Sequence, residues 1–183
     1  MLFKRLSLMV LAAAASQATL AEPTVGTIRF KGIVQDTTCS VSVNGVETPN
    51  LATVLLSETP INWLVKPGDV AKAELFDIDL TDCDGPSTLV RASFQGTNGT
   101  TVTEGRLDNM AADNPARNVQ LMLEADHGKQ VEFVEVGGDQ SLMSPAEIEG
   151  GIARLQYAVS YYATGPVTEG NFEAAVEYTV AYQ

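Results

Sequence analysis

Histidine occurs once in the chain, at His127, and cysteine only twice, at Cys39 and Cys83. Basic residues are also few: 11 against 23 acidic, a formal net charge of −12. Each shortage removes a class of function. With one histidine and two cysteines, a structural zinc site lacks ligands. No G-x-S-x-G elbow or comparable nucleophile motif accompanies His127, so an acyl-transfer enzyme is not supported; Asp126-His127-Gly128 reads as a turn between strands. The acidity excludes nucleic acid and anionic membrane as partners and points instead to solubility. A C-x-x-C redox pair is missing. No segment sustains a long helical period, and no apolar run beyond the N-terminus reaches the ~18 residues of a membrane span.

What is present begins with a leader. Lys4 and Arg5 precede the apolar run Leu6–Ala15, and Thr19-Leu20-Ala21 has the small-x-small form of a signal-peptidase site. Residues 1–21 read as a secretory signal peptide, with Ala18 as the second choice of cleavage point. Cleavage after Ala21 leaves 9 basic and 23 acidic residues, a net charge of −14. The mature length suits one domain with its own core. In an exported chain an isolated cysteine pair reads as a disulfide, and closing a loop of this size stabilises by roughly 4 kcal/mol in the chain-entropy picture.

Period-two alternation recurs from end to end and marks half-buried strands. The spacing predicts strands over Thr27–Val34, Thr38–Val43, Ala71–Leu80, Thr88–Phe94, Asn118–Glu124, Lys129–Val136 and Arg154–Ala163. Turn signals separate them: Asn44-Gly45, Pro67-Gly68, Asp84-Gly85-Pro86, Asn98-Gly99, Gly137-Gly138 and Gly165-Pro166. Met143–Glu147 reads as a short turn of helix. Strands at this spacing indicate a single antiparallel β-sandwich.

The clearest alternation closes the chain. Phe172, Ala174, Val176, Tyr178, Val180 and Tyr182 share one parity, with Glu173, Ala175, Glu177, Thr179, Ala181 and Gln183 between them. This is a strand with one apolar face, and a terminal strand frays unless it is paired. At the other end Gly26, Ile28, Phe30 and Gly32 share a parity, while Thr27, Arg29 and Lys31 are polar. That segment is either an ordinary first strand or a strand extending beyond the domain; periodicity alone does not separate the two. Asp77, Asp79, Asp82 and Asp84 resemble a cation cluster, yet Asp77 and Asp79 alternate with Phe76, Ile78 and Leu80. They read as the solvent side of a strand, and the glycine and terminal glutamate of an EF-hand loop are missing. Asn98-Gly99-Thr100 matches the glycosylation sequon, but Asn-Gly is also the favoured type I′ hairpin pair.

Taken in order, these segments resemble the pilins of chaperone–usher fimbriae, most closely the type 1 major-subunit group. The resemblance rests on Gly26-Thr-Ile-Arg-Phe-Lys-Gly32 ahead of Cys39, on Phe76-Asp-Ile-Asp-Leu-Thr-Asp-Cys83, on Phe94-Gln-Gly96 and Asn118-Val-Gln-Leu121, and on Tyr157-Ala-Val-Ser-Tyr161. Gly170, fourteenth from the end, and the penultimate Tyr182 complete it. It implies an all-β fold: an incomplete immunoglobulin-like antiparallel β-sandwich completed by a donated strand. It implies three regions: signal peptide 1–21, N-terminal donor-strand extension 22–32 and pilin domain 33–183. Val25, Gly26, Ile28, Phe30 and Gly32 would be the donor strand. Gly170, Phe172, Ala174, Val176, Tyr178, Val180 and Tyr182 would line the chaperone and acceptor groove.

The implied function is that of a structural fimbrial subunit polymerising head-to-tail by donor-strand exchange for cell adhesion. It would be exported through the periplasm to a cell-surface fimbrium. The implied partners are a periplasmic chaperone, an outer-membrane usher and neighbouring pilin subunits in a homopolymer, with no nucleic acid, no metal and no small-molecule cofactor. The extension ahead of Gly26 is short, Glu22–Val25, which leaves Pro23 or Thr24 for the outermost groove pocket. A single pilin domain excludes a two-domain tip adhesin. A minor adaptor pilin and a self-complete secreted β-sandwich that binds host glycans or protein are the alternative readings.

Overall fold

A computed structural model describes residues 37–48, 51–97, 99–126 and 131–183. The chain is built from strands alternating between two sheets over one core. Its longest strand, β3 (Val70–Asp84), shows the cause most plainly. Phe76, Ile78 and Leu80 are buried while Leu75, on the other parity, is 57% exposed. β3 lies between β1 (Thr38–Val43) and β10 (Ala153–Ala163). β10 in turn pairs with β7 (Val119–Asp126). The first sheet runs β2 (Val46–Glu47), β1, β3, β10, β7, β6 (Arg106–Asp108), β5 (Val102–Thr103), and β8 (Val131–Val134) shares the outer edge of β7 with β6. The second sheet is smaller: β11 (Val176–Tyr182), β4 (Leu89–Gly96), β9 (Ala146–Glu147). Every strand pair is antiparallel.

The core lies between the sheets. Leu121, Leu123 and Ala125 of β7, Leu155, Tyr157 and Val159 of β10, and the buried row of β3 meet Val90, Ala92 and Phe94 of β4. Tyr157 is its aromatic centre, with ring centroids 5.5 Å from Phe76 and 4.8 Å, edge-on, from Phe94. Cys39 and Cys83 form a disulfide that ties β1 to β3 across 44 residues of sequence. The Asn44-Gly45 turn is of the anticipated kind. Both residues have positive φ, 47° and 80°, as a type I′ turn demands, and Asn44 Oδ1 accepts from the Asp77 N–H at 2.9 Å.

Two expectations need correction. Met143–Glu147 is not helical: Ala146–Glu147 is β9, on the edge of β4. Pro145 accounts for this, because the residue before a proline is steered to extended backbone. One 3₁₀ helix does occur among the described residues, at Ile61–Trp63, where no helical signal was read. The C-terminal strand begins at Val176, not at Phe172; the cause lies in the site described next. The Thr27–Val34 strand lies outside the described residues, as does the start of Lys129–Val136.

Candidate functional site: the open edge of the C-terminal strand

β11 pairs with β4 from Val176↔Gly96 to Tyr182↔Val90. Its far side carries no strand partner among the described residues. Which backbone groups point outward follows from the register. Gln183 and Leu89 exchange both hydrogen bonds, at 2.8 and 3.0 Å, so they are a hydrogen-bonded pair. In an antiparallel ladder such pairs alternate with non-bonded ones. Glu177, Thr179 and Ala181 therefore bond to β4. Val176, Tyr178, Val180 and Tyr182 aim their N–H and C=O groups away from it, toward the open edge.

The same four residues turn their side chains to the core. Val176, Tyr178, Val180 and Tyr182 are half-buried and packed against it, while Glu177, Thr179, Ala181 and Gln183 are exposed. Two tyrosines lean across to the first sheet. The Tyr178 hydroxyl hydrogen-bonds to the Thr48 hydroxyl just after β2. Tyr182 has its phenol pushed above the usual range by burial, offset in part by a backbone hydrogen bond at Cys39 of β1. Residues 51–60 form no strand, yet they alternate. Ala52, Val54 and Leu56 pack on the common core, whereas Leu51 and Leu55 are 89% and 84% exposed. Two rows of half-buried apolar side chains thus rest on one core with no backbone ladder between them among the described residues.

The residues before β11 explain why the strand starts late. Asn171 bridges to Pro115, and the Met110 N–H donates to Glu173 O at 2.8 Å. Asn109 is the hub. Its Oδ1 accepts from Glu173 N–H and Ala111 N–H, both at 3.0 Å, and its Nδ2 donates to Ala116 O and Asn171 O. The Ala175 N–H donates to Thr100 Oγ1 at 2.9 Å. Residues 170–175 are therefore bound beside the first sheet before the chain crosses to the second. Phe172 and Ala174 still face the core, Phe172 edge-on to Tyr161 at 5.8 Å. At Gly170 a Cβ would stand 2.5 Å from both Ala116 N and Asn114 O, so only glycine permits this approach.

Other residues singled out in the sequence are not brought to this edge. Asp79 and Asp77 are paired by Arg154, whose Nε lies 2.6 Å from Asp79 Oδ1 and 3.8 Å from Asp77 Oδ2. Thr100 of the sequon is buried at 6% exposure. Val25, Gly26, Ile28, Phe30, Gly32, Asn98 and His127 lie outside the described residues. Sequence reading missed Asn109 and the 51–60 wall. Ala52-x-Val54-x-Leu56 is a period-two signal that could have revealed the wall; Asn109 carries no local signal.

Residues 56–183 match the family model of the type-1 fimbrial protein, A (FimA). The chain belongs to this family of fimbrial subunits. It is 39% identical over 179 residues to the F17 fimbrial protein of Escherichia coli, covering 95% of each chain. It is 34% identical over 178 residues to the major fimbrial subunit SMF-1 of Stenotrophomonas maltophilia, covering 94% of this chain and 99% of that one. Two solved structures share the fold. A chain from a chaperone-usher pilus gives a TM-score of 0.58 at 20% identity, over 91% of this chain and all of that one. The P pilus rod subunit PapA gives 0.54 at 19% identity, over 79% and 99%. The protein is thus a structural fimbrial subunit with an immunoglobulin-like fold, a component of a surface pilus.

Proposed function

We propose that this fimbrial subunit assembles by donor-strand exchange at the open edge of β11. The supporting observation is the row Val176, Tyr178, Val180 and Tyr182, which turns apolar side chains to the core and backbone hydrogen-bonding groups to an edge without a strand partner among the described residues. An exposed edge of this kind is a template for pairing with another strand. Strand addition draws affinity from main-chain hydrogen bonds and specificity from pockets for alternate side chains.

In this reading residues 33–183 are the pilin domain and 22–32 a donor extension. A periplasmic chaperone lends a strand to the groove between β11 and residues 51–60 during export. At an outer-membrane usher, Val25–Gly32 of an adjoining copy replaces it. Ile28 and Phe30 contribute about 1.5–3 kcal/mol each on burial, and Gly26 and Gly32 allow close backbone approach. Each donor fills one neighbour and leaves its own groove for another, a heterologous contact that yields a filament when the rotation does not close.

Deleting residues Glu22–Lys31 tests the reading. The expected result is a subunit that a chaperone still captures but that no longer forms polymers by size-exclusion chromatography or electron microscopy. Polymers of ordinary length from the deleted chain would contradict it.

A further inference from the structure

The end of the molecule remote from the disulfide displays an apolar patch that the core does not require. Ile61, Trp63 and Val65 are 50%, 52% and 54% exposed, and Val70 is 48% exposed. Leu64 between them is buried with Ala71 and Ala163. The loop is thus anchored through Leu64 and turns its larger neighbours outward. It is held in this form by the Asp69 carboxylate, which accepts from Val65 N–H at 2.9 Å and Lys66 N–H at 3.0 Å, and by the Val167 N–H donating to Leu64 O.

Lys72 completes the patch at a local cost. The pairing of β3 with β10 passes from Ala73↔Ser160 to Ala71↔Tyr161, so Lys72 is the extra residue of a bulge, and its φ is 53°. Left-handed backbone is strained for a residue that carries a side chain. The bulge brings the Lys72 ammonium 5.6 Å from the centre of the Trp63 ring. A bulge that re-aims one side chain is typical of functional edges.

The position of this patch relative to the groove restricts what can cover it. β11 is approached from the same end: Phe172 meets Tyr161, and Tyr161 packs on the Leu64 cluster. The described chain starts at the opposite end, where Thr38 pairs with Asp84. Filling the seven-residue edge of β11 takes a donor segment of about 23 Å. Between a donor ending at Gly32 and Thr37 only residues 33–36 remain, a tether of at most about 18 Å. A copy whose extension pairs antiparallel with β11, its Gly32 beside Val176, is therefore held close to the patch end of the groove, with its own Thr37 end nearest. That end bears the exposed Asp82 and Asp84, opposite in charge to Lys72.

We propose that Ile61, Trp63, Val65, Val70 and Lys72 form a second contact between successive copies, covered by the Thr37 end of the copy whose extension fills the groove. Asp82 and Asp84 of that copy supply the carboxylates for Lys72. The proposal rests on the donor-strand reading above and adds a docking surface to it.

Trp63 is the single tryptophan of the chain, so its emission reports directly on the patch. Acrylamide quenching is measured on the unassembled mature subunit, on the subunit held by its chaperone, and on assembled fibres, each corrected with Trp63→Phe protein. The expected result is a blue-shifted Trp63, quenched several-fold less, in fibres alone. Lys72→Glu should raise the rate of fibre disassembly several-fold, and Asp84→Lys in the same chain should restore it. Fibres that form with Trp63 as accessible as in the unassembled subunit would overturn the second contact and leave donor-strand exchange standing. Equal protection in the chaperone complex would assign the patch to the chaperone and overturn it as well. Failure to form any fibre, read by size alone, would remove the donor-strand reading and this contact with it.

Discussion

Gly170 and Asn109 act where the chain passes from one sheet to the other. A methyl group at Gly170 would stand 2.5 Å from two backbone atoms of Asn114–Ala116. Gly170→Ala must push that loop away, and overpacking of this kind costs about 1–3 kcal/mol; the urea midpoint should fall accordingly, and an unchanged midpoint would show that the loop gives freely. Asn109→Ala removes the acceptor of the Ala111 and Glu173 N–H groups and a donor to the Ala116 and Asn171 carbonyls; the Asn171 carbonyl still accepts from the Ala116 N–H. These bonds are part-buried or exposed, so their loss costs about 0.5–1.5 kcal/mol each; the variant should be less stable and exchange faster at Glu173. Tyr157 sets the alkaline limit. Burial holds its phenol above the usual range, only partly offset by a backbone hydrogen bond at Ala92, and Tyr161 and Tyr182 are raised by burial too. Above about pH 10 the unfolded chain releases protons that the folded chain keeps. Stability is therefore full below that pH and falls as pH rises through the folded values. Tyrosinate absorbance from Tyr157 should appear together with unfolding; its appearance in a still-folded subunit would contradict the burial argument.

At the level of elements, β11 joins a core-facing row to an outward-facing backbone. Val180→Asp sets a carboxylate against the core, and Tyr182→Ala removes the ring that reaches β1. Each should weaken chaperone capture at least tenfold, about 1.4 kcal/mol, measured by co-purification or titration; unchanged capture would reduce β11 to an ordinary core strand. The strands with strong alternation were legible in the sequence because one buried face imposes period two. The buried rows Phe76-Ile78-Leu80 and Val119-Leu121-Leu123 fall on the anticipated parity. β2, β5, β6 and β9 span only two or three residues, too few to show a period. The start of β11 was misplaced for a different reason. Phe172 and Ala174 face the core from an irregular segment, and side-chain parity does not distinguish a strand from an extended chain pinned by Asn109. Likewise, alternation at Val176–Tyr182 gave the buried face, but the direction of the backbone groups depends on the register with β4, which no local pattern encodes.

The described residues form a sandwich whose two sheets share one core but not a continuous edge. β11 lies at an edge of the second sheet and β2 at an edge of the first, next to β1. The tyrosine side chains bridge them where no backbone ladder does among the described residues. An immunoglobulin-like domain in this condition presents an unpaired strand edge, a template for pairing, and the proposed assembly rests on filling that edge from outside. Hydrogen exchange along β11 tests this most directly, in the subunit lacking Glu22–Lys31, alone and with a peptide of residues 22–32. The amides of Val176, Tyr178, Val180 and Tyr182 should exchange quickly alone and become protected with the peptide. Those of Glu177, Thr179 and Ala181, already bonded to β4, should change little. Uniform protection along β11 without the peptide, or no alternation on adding it, would contradict an acceptor groove at this edge.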